Sequence, residues 1–132
     1  MSRDHRKLRA FELADSLVLE VYRVTTSFPS DERFGLTSQL RRGAVSIASN
    51  IVEGCARRTE RDFLQFIIIS HGACRELLYQ LSIAYRLGFM PNDEEALTLQ
   101  AAAEETSRVL AGLVKTVSAS ASGSGLKAQD SS

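Results

Sequence analysis

A seam of mostly apolar residues, at alternating spacings of four and three, constrains the fold of this chain more than any other feature. The members of the seam are Phe63, Ile67, Ser70, Cys74, Leu77, Leu81 and Ala84. This spacing follows the 3.6-residue turn of an α-helix and suits the shallow crossing angles of helical bundles. Thr59, with Asp62 three residues later, predicts the start of this helix, and Gly88 and Pro91 predict its end. The sequence therefore predicts a long helix that buries one face against other helices.

Three further amphipathic helices are predicted around this segment from the same periodicity. The first two run from about Lys7 to Phe28 and from about Leu36 to Gly54, and the last follows the N-cap Asn92 and ends near Val117. Gly54 is expected to close its helix, because glycine adopts the left-handed conformation at little cost.

The joints between the predicted helices are short, so each helix must turn back beside the one before it. No alternation typical of β-strands competes with the helical pattern. We therefore expect an all-α fold, an antiparallel up-down-up-down four-helix bundle over residues 1–118. Residues 119–132 are rich in Ser, Ala and Gly, and we expect them to form a disordered C-terminal tail.

Composition and charge indicate a cytoplasmic protein without a membrane partner. Sixteen basic residues balance sixteen acidic ones, so no global charge favours a nucleic acid or a membrane surface. The charged N-terminal residues do not resemble a signal peptide, and the most apolar run, residues 63–70, is far shorter than the ~20 residues of a membrane span. Cys55 and Cys74 lie on apolar stretches, and we interpret them as buried, reduced thiols, with a disulfide as the alternative.

The third helix carries more apolar residues than one buried face requires. Leu64, Ile68 and Ile69 lie beside the seam, so apolar side chains surround most of the first half of this helix. Either this helix is simply the most buried of the four, or these three residues contact a neighbouring subunit. The second interpretation predicts a homo-oligomer.

The second helix carries a polar set within residues 35–54. Its members are Arg42, Ser46, Ser49, Asn50 and Glu53. We interpret the set as a hydrogen-bonded contact between helices or subunits, in which Arg42 or another arginine pairs with Glu53, because buried charges need partners. A small-ligand site and a solvated surface are the alternatives.

Four arginines near the end of the second helix and the start of the third are candidates for a nucleic-acid-binding surface. They are Arg41, Arg57, Arg58 and Arg61. One subunit would offer few phosphate contacts, but an oligomer would multiply them. Solvation, or pairing with nearby carboxylates, is an equally open interpretation. Phe34 is the only aromatic residue nearby, so base-specific recognition is not expected.

Residues 35–54 read Gly-Leu-Thr-Ser-Gln-Leu-Arg-Arg-Gly-Ala-Val-Ser-Ile-Ala-Ser-Asn-Ile-Val-Glu-Gly, and residues 57–63 read Arg-Arg-Thr-Glu-Arg-Asp-Phe. These motifs resemble the signature of bacterial four-helix-bundle proteins linked to intervening sequences in 23S ribosomal RNA genes, the S23-like family. The resemblance covers about residues 8–118. Ala48 stands where the family usually has proline, so the second helix should be straighter in this chain.

The resemblance implies a four-helix subunit that assembles into a ring-like homopentamer. A related branch, the accessory variability proteins of diversity-generating retroelements, forms similar basic pentamers that bind nucleic acid and a reverse transcriptase. No enzymatic activity is implied by the resemblance.

No catalytic residues, metal or cofactor are expected. A di-iron site in a helical bundle requires Glu-x-x-His pairs on two helices, whereas the only histidines are His5 and His71, with Ile68 at the position of the glutamate. We therefore expect a non-enzymatic homo-oligomer that binds RNA or DNA non-specifically through its basic surface. The alternative is a scaffold that recruits a partner protein and has no nucleic-acid role.

Overall fold

The computed structural model describes the backbone of residues 2–130 and the side chains of residues 2–121. The helices are α1 Arg9–Thr25, α2 Leu36–Cys55, α3 Glu60–Arg86 and α4 Asp93–Asp130, with short 3-10 turns at His5–Lys7 and Ser30–Glu32. No strand occurs in residues 2–130, which confirms the all-α prediction. None of the helices over these residues is both long and apolar enough to cross a membrane.

The four helices pack in chain order around one core. α2 lies between α1 and α3, α4 packs on α3, and the contact between α1 and α4 closes the ring. Short connections force each helix to reverse direction beside its predecessor. The arrangement is the up-down-up-down bundle that the sequence predicts.

The predicted seam of α3 forms the centre of the core, and all seven of its members are buried. The polar atoms in the seam have partners, as buried polar atoms require. Ser70 Oγ donates to the Ile47 carbonyl at 2.7 Å, and Cys74 Sγ donates to the Ala103 carbonyl at 3.3 Å. Cys55 and Cys74 are both buried, which confirms that part of the prediction, and both are free thiols in the structure.

The predicted capping residues lie at the starts and ends of the helices, as expected. Thr59 Oγ1 accepts a hydrogen bond from the Asp62 amide at 3.1 Å, at the start of α3. Asn92 Oδ1 accepts one from the Glu95 amide at 2.8 Å, at the start of α4. Gly88 follows α3 with a φ of 78°, a conformation that terminates a helix and favours glycine.

The predicted role of Gly54 is wrong. Gly54 lies inside α2, which continues to Cys55, and Gly88 is the one residue with positive φ in the described part of the chain. A Cβ atom at position 54 would lie 2.8 Å from the Cβ atom of Phe66 and 3.4 Å from the carbonyl oxygen of Phe63. The glycine is therefore needed for the close approach of α2 to α3, and a left-handed turn plays no part.

The N-terminal segment folds over the end of the bundle where α2 leads into α3. The Arg3 amide donates to the Cys55 carbonyl at 2.7 Å. The Arg3 guanidinium lies 3.9 Å from the ring centroid of Phe63 and pairs with Glu60 at 2.6 Å. Because this segment and a 3-10 turn come first, α1 begins later than predicted.

The predicted tail lies largely outside the described side chains. α4 continues as a helix as far as Asp130, whereas the sequence predicted its end near Val117. The side chains of residues 122–130, and residues 131–132 entirely, lie outside the described residues. Disorder over residues 119–132 therefore stays a prediction.

Candidate nucleic-acid interface

An open depression of about 670 Å³ lies where the end of α1, the α1–α2 connection and the first half of α2 meet. We call it the arginine groove. Its lining residues are Tyr22, Arg33, Phe34, Thr37, Ser38, Arg41, Arg42, Val45 and Ser46.

The helical repeat of α2 builds most of this lining. Residues four apart on a helix stand one above the other on the same side. Thr37, Arg41 and Val45 form one such row, and Ser38, Arg42 and Ser46 form the next. Two arginines one residue apart therefore project from neighbouring rows into the same depression.

The three arginines of the groove differ in how firmly they are held. Arg41 is fixed, since its Nε donates to Thr25 Oγ1 at 2.9 Å and its guanidinium lies 4.7 Å from the ring centroid of Tyr22. The Arg33 guanidinium lies 4.8 Å from the ring centroid of Phe34. Arg42 makes neither a hydrogen bond nor an ion pair within the described residues.

The electrostatics of the groove favour an anion. No carboxylate is among the lining residues, so three positive charges face the same open space. The N-terminal end of α2 also lies here, and the helix dipole adds partial positive charge. Glu32 lies at this end and accepts a hydrogen bond from the Leu36 amide at 3.3 Å, but it is not among the lining residues.

Thr37 adds a polar group without a partner to the lining. The residue is only 7% exposed, and its Oγ1 atom has no hydrogen-bond partner among the described residues. Buried polar atoms are nearly always paired, so an unpaired hydroxyl beside an open depression is a candidate ligand contact.

The structure does not bring the four arginines of the predicted basic surface together. Arg41 lies in the first half of α2, and the rise of about 1.5 Å per residue places it about 21 Å from Cys55, the end of the helix that Arg57 follows. Arg57 pairs with Glu53 and lies 4.7 Å from the ring centroid of Phe66.

Arg58 and Arg61 are exposed at the turn into α3, at the end of the bundle that also carries Arg57. Glu60 lies between them in the chain. The hydrogen bond from Arg3 holds the pKa of the Glu60 carboxyl below its ordinary value. This end of the bundle therefore mixes both signs of charge, unlike the arginine groove.

Three members of the polar set of α2 form contacts with residues four positions away in the chain. Asn50 Nδ2 donates to the Ser46 carbonyl at 2.8 Å and to Ser46 Oγ at 3.1 Å. Glu53 pairs with Arg57 one helical turn away. Arg42 is separate from these bonds and borders two depressions, the arginine groove and a second one. An intersubunit role for this set stays a prediction.

The second depression, of about 340 Å³, lies between the outer sides of α2 and α3. We call it the α2–α3 depression, and its lining residues are Gln39, Arg42, Gly43, Ser46, Ala73, Glu76 and Gln80. Gln80 Nε2 donates to Gln39 Oε1 at 3.2 Å, but Gln80 Oε1 is buried without a partner in the described residues. Three of the lining residues are small, and the other four carry long polar or charged side chains.

The three residues predicted to contact a neighbouring subunit have different environments. Leu64 is partly buried and packs against the core of its own bundle. Ile68 and Ile69 are 43% and 51% exposed. Only the two isoleucines are thus available to another subunit, and their role stays a prediction.

Titratable groups give no sign of a catalytic centre in the described part of the chain. No group of three or more His, Cys, Asp or Glu residues there could hold a metal ion. Burial raises the pKa of both cysteine thiols, that of Cys74 to about 11, so neither is an activated nucleophile. His71 Nε2 lies 3.5 Å from Ser107 Oγ, on the side of α3 that faces α4.

Sequence reasoning missed Arg33 and Thr37 as parts of a site. Thr37 was not distinguished because it falls at the margin of the buried face of α2, and Arg33 lies in a connection without periodicity. The signal that could have found the groove is the pair of rows on α2 with a spacing of four residues, which starts at Thr37, three residues after Phe34.

With this geometry, the chain is a small helical-bundle protein with an arginine-lined surface depression. The profile of the 23S rRNA-intervening sequence protein family matches residues 6–112, and the chain belongs to that family. This confirms the resemblance seen in the sequence.

A solved structure supports the fold assignment. It is a protein with unknown function from the S23 ribosomal protein family of Bacteroides thetaiotaomicron VPI-5482. The two chains are 18% identical and superpose with a TM-score of 0.71, over 80% of this chain and 98% of that chain. At this identity the likeness concerns the fold alone. No curated protein gives a significant match to the chain.

Proposed function

We propose that this protein is a cytoplasmic, non-enzymatic homo-oligomer that binds RNA or DNA through the arginine groove. The observation that carries the proposal is the presence of three arginines around one depression that no carboxylate lines. The chain as a whole has no net charge, so a local concentration of positive charge is what could attract a phosphate backbone.

The groove replaces the predicted basic surface as the centre of binding. Of the predicted residues it retains Arg41, whereas Arg57 is already paired with Glu53. Arg58 and Arg61 would act at most as an additional contact at the far end of α2, because carboxylates share that surface. Guanidinium groups recognise phosphate through paired N–H donors, which suits the three arginines of the groove.

Self-association is part of the proposal, because one groove supplies few phosphate contacts. Affinity for a polyanion grows steeply with the number of phosphates neutralised, so repeated grooves on a ring would bind much more tightly. The exposure of Ile68 and Ile69, together with the adjacent α2–α3 depression, supports a subunit contact on α3. By resemblance to the family we propose a homopentamer.

A scaffold that recruits a partner protein is the second candidate. The observation that favours it is the exposure of Leu19 and Leu97, two large apolar side chains that line neither depression. An oligomer that fails to bind nucleic acid at low salt would support this candidate over the first.

The test is fluorescence anisotropy of a labelled RNA at low salt. Replacement of Arg33 and Arg42 with alanine should weaken binding strongly, whereas Arg108→Ala, which removes an exposed arginine from α4, should leave it unchanged. A third variant carries alanine in place of Arg58 and Arg61. If the wild-type protein binds no RNA, or if only the third variant loses binding, the proposed groove is wrong.

A further inference from the structure

We infer that the arginine groove accepts one unstacked nucleotide of a single strand, with its base on Phe34 and its phosphate on Arg41 and Arg42. This inference rests on the proposed function and narrows its ligand class from any nucleic acid to single-stranded RNA or DNA. It follows from three features of the groove.

The first feature is the exposed ring of Phe34. Phe34 is 86% exposed, the highest value among the large apolar residues of the described part of the chain, and it lines an arginine-rich depression. Arg33 lies 4.8 Å from the centroid of this ring. A base that stacks on Phe34 would extend an existing arrangement of guanidinium and ring, as is common at single-strand sites.

The second feature is the preorganised phosphate contact. Arg41 is held through Nε by Thr25 and against the ring of Tyr22, so it loses little freedom when a ligand binds. Its Nη1 donates to no group within the described residues. Arg42, one residue on, has no partner in the same part of the chain. Together they offer forked donors to one phosphate group.

The third feature is the unsatisfied hydroxyl of Thr37. Its Oγ1 is buried beside the groove without a partner, and a phosphate oxygen, directly or through water, would satisfy it. Thr25 shows the contrast, because its Oγ1 donates to the Val21 carbonyl and accepts from Arg41. The hydroxyl that borders the groove therefore lacks a hydrogen-bond partner, whereas the hydroxyl that holds Arg41 in place has both of its partners.

The size of the groove favours a single strand over a double helix. A depression of about 670 Å³ is of the size that holds one small molecule, and a double helix does not fit inside it. In a duplex the bases stay stacked with one another and cannot reach Phe34. A duplex could therefore contact the arginines only from outside, so we expect tighter binding of a single strand.

The test compares a fluorescein-labelled oligouridine RNA with the same RNA annealed to its complement, by anisotropy at low salt. Phe34→Ala should weaken binding of the single strand about tenfold and leave duplex binding unchanged. Phe34→Tyr should restore single-strand binding, and Leu97→Ala, an exposed apolar residue outside the groove, should change neither. Equal loss for both probes, or no loss for either, overturns the inference.

A spectroscopic variant tests stacking directly. The chain contains no tryptophan, so Phe34→Trp would place a single indole in the groove. Its fluorescence should be quenched when the single strand binds, and the duplex should leave it unchanged. Binding without quenching would contradict the inference even where the affinity is normal.

Thr37→Val tests the hydroxyl with almost no change in shape. It should weaken single-strand binding about fivefold while the midpoint of thermal unfolding is kept or raised, because an unpaired buried group is removed. Unchanged affinity would remove Thr37 from the site.

The proposed function and this inference fail in different ways. If the variant with alanine at Arg33 and Arg42 binds neither the single strand nor the duplex, and Phe34→Ala changes the affinity for neither, the inference of a nucleotide pocket is wrong and the proposed function stands. If the wild-type protein binds neither probe, both are wrong. Displacement of the strand by free uridine monophosphate at equal nucleotide concentration would reassign the groove to free nucleotides.

Discussion

Gly54→Ala tests whether the close approach of α2 and α3 depends on a missing side chain. In an open helix interior, alanine is about 1 kcal/mol more favourable than glycine. At position 54 the new Cβ would meet Phe66 Cβ at 2.8 Å and the Phe63 carbonyl at 3.4 Å. Neither atom lies at the flexible end of a side chain, so the two helices must move apart. Such overpacking costs about 1–3 kcal/mol.

The matched control is Gly112→Ala, because a Cβ at that exposed position of α4 would meet nothing within 4 Å. We expect this control to gain about 1 kcal/mol of stability and Gly54→Ala to lose up to about 2 kcal/mol, which separates their thermal midpoints by several degrees. Far-UV circular dichroism at equal protein concentration measures both. If Gly54→Ala is as stable as Gly112→Ala, the account of close helix packing is refuted.

Three further predictions concern the thiols, the acid response and the assembly. Because burial raises the pKa of Cys55 and that of Cys74 to about 11, both thiols should react slowly with an aromatic disulfide reagent at neutral pH and rapidly in urea; rapid reaction of both in the native protein would contradict their burial. The pKa of Glu60, beside Arg3, and that of Glu95, beside Arg23, lie below their ordinary value of 4.5. Their contribution to stability is therefore complete above that value and is lost as the pH falls through the lower pKa values of the folded state. Glu60→Gln should lose less stability than the wild-type protein as the pH falls, as measured by acid unfolding titration. A titration curve identical to that of the wild type would count against the ion pair. Light scattering should give a mass of several subunits for the wild-type protein and a lower mass when Ile68 and Ile69 become serine, with Leu97→Ser as a control; a mass of one chain for the wild type would exclude self-association.

The core of the fold was predictable because it depends on local periodicity. The seam of α3 was predicted in full, since each position is set by its angle on one helix. Thr59 and Asn92 were correctly predicted as caps, because a cap hydrogen bond reaches only two or three residues along the chain. The existence and order of the helices and the starts of α3 and α4 are all of this local kind.

Features that depend on the distance between helices were not predictable in the same way. Gly54 was assigned to a helix end, because glycine just after a periodic run usually has that role. Its actual role depends on how closely α3 approaches, and only the packed structure gives that distance. The fold of residues 2–8 over α3, with Arg3 against Phe63, likewise depends on contacts between distant parts of the chain.

The candidate site was predicted in part. Arg41 belongs to the predicted set and lines the groove, but the prediction grouped it with Arg57, although the 14 residues of α2 that follow Arg41 already imply a separation of about 21 Å. Arg33 could not be placed from periodicity, since its connection has none. The orphan hydroxyl of Thr37 depends on the absence of a partner, which no sequence pattern reveals.

The salt dependence of single-strand binding tests most directly whether the arginine groove neutralises phosphates. Each lost phosphate contact should reduce the slope of log Kobs against log salt concentration by about 0.7. We expect alanine at Arg41 and Arg42 to flatten the slope by about 1.4 per contacting subunit, and alanine at Arg58 and Arg61 to leave it nearly unchanged. An unchanged slope in the groove variant, with a flatter slope in the other, would contradict the account.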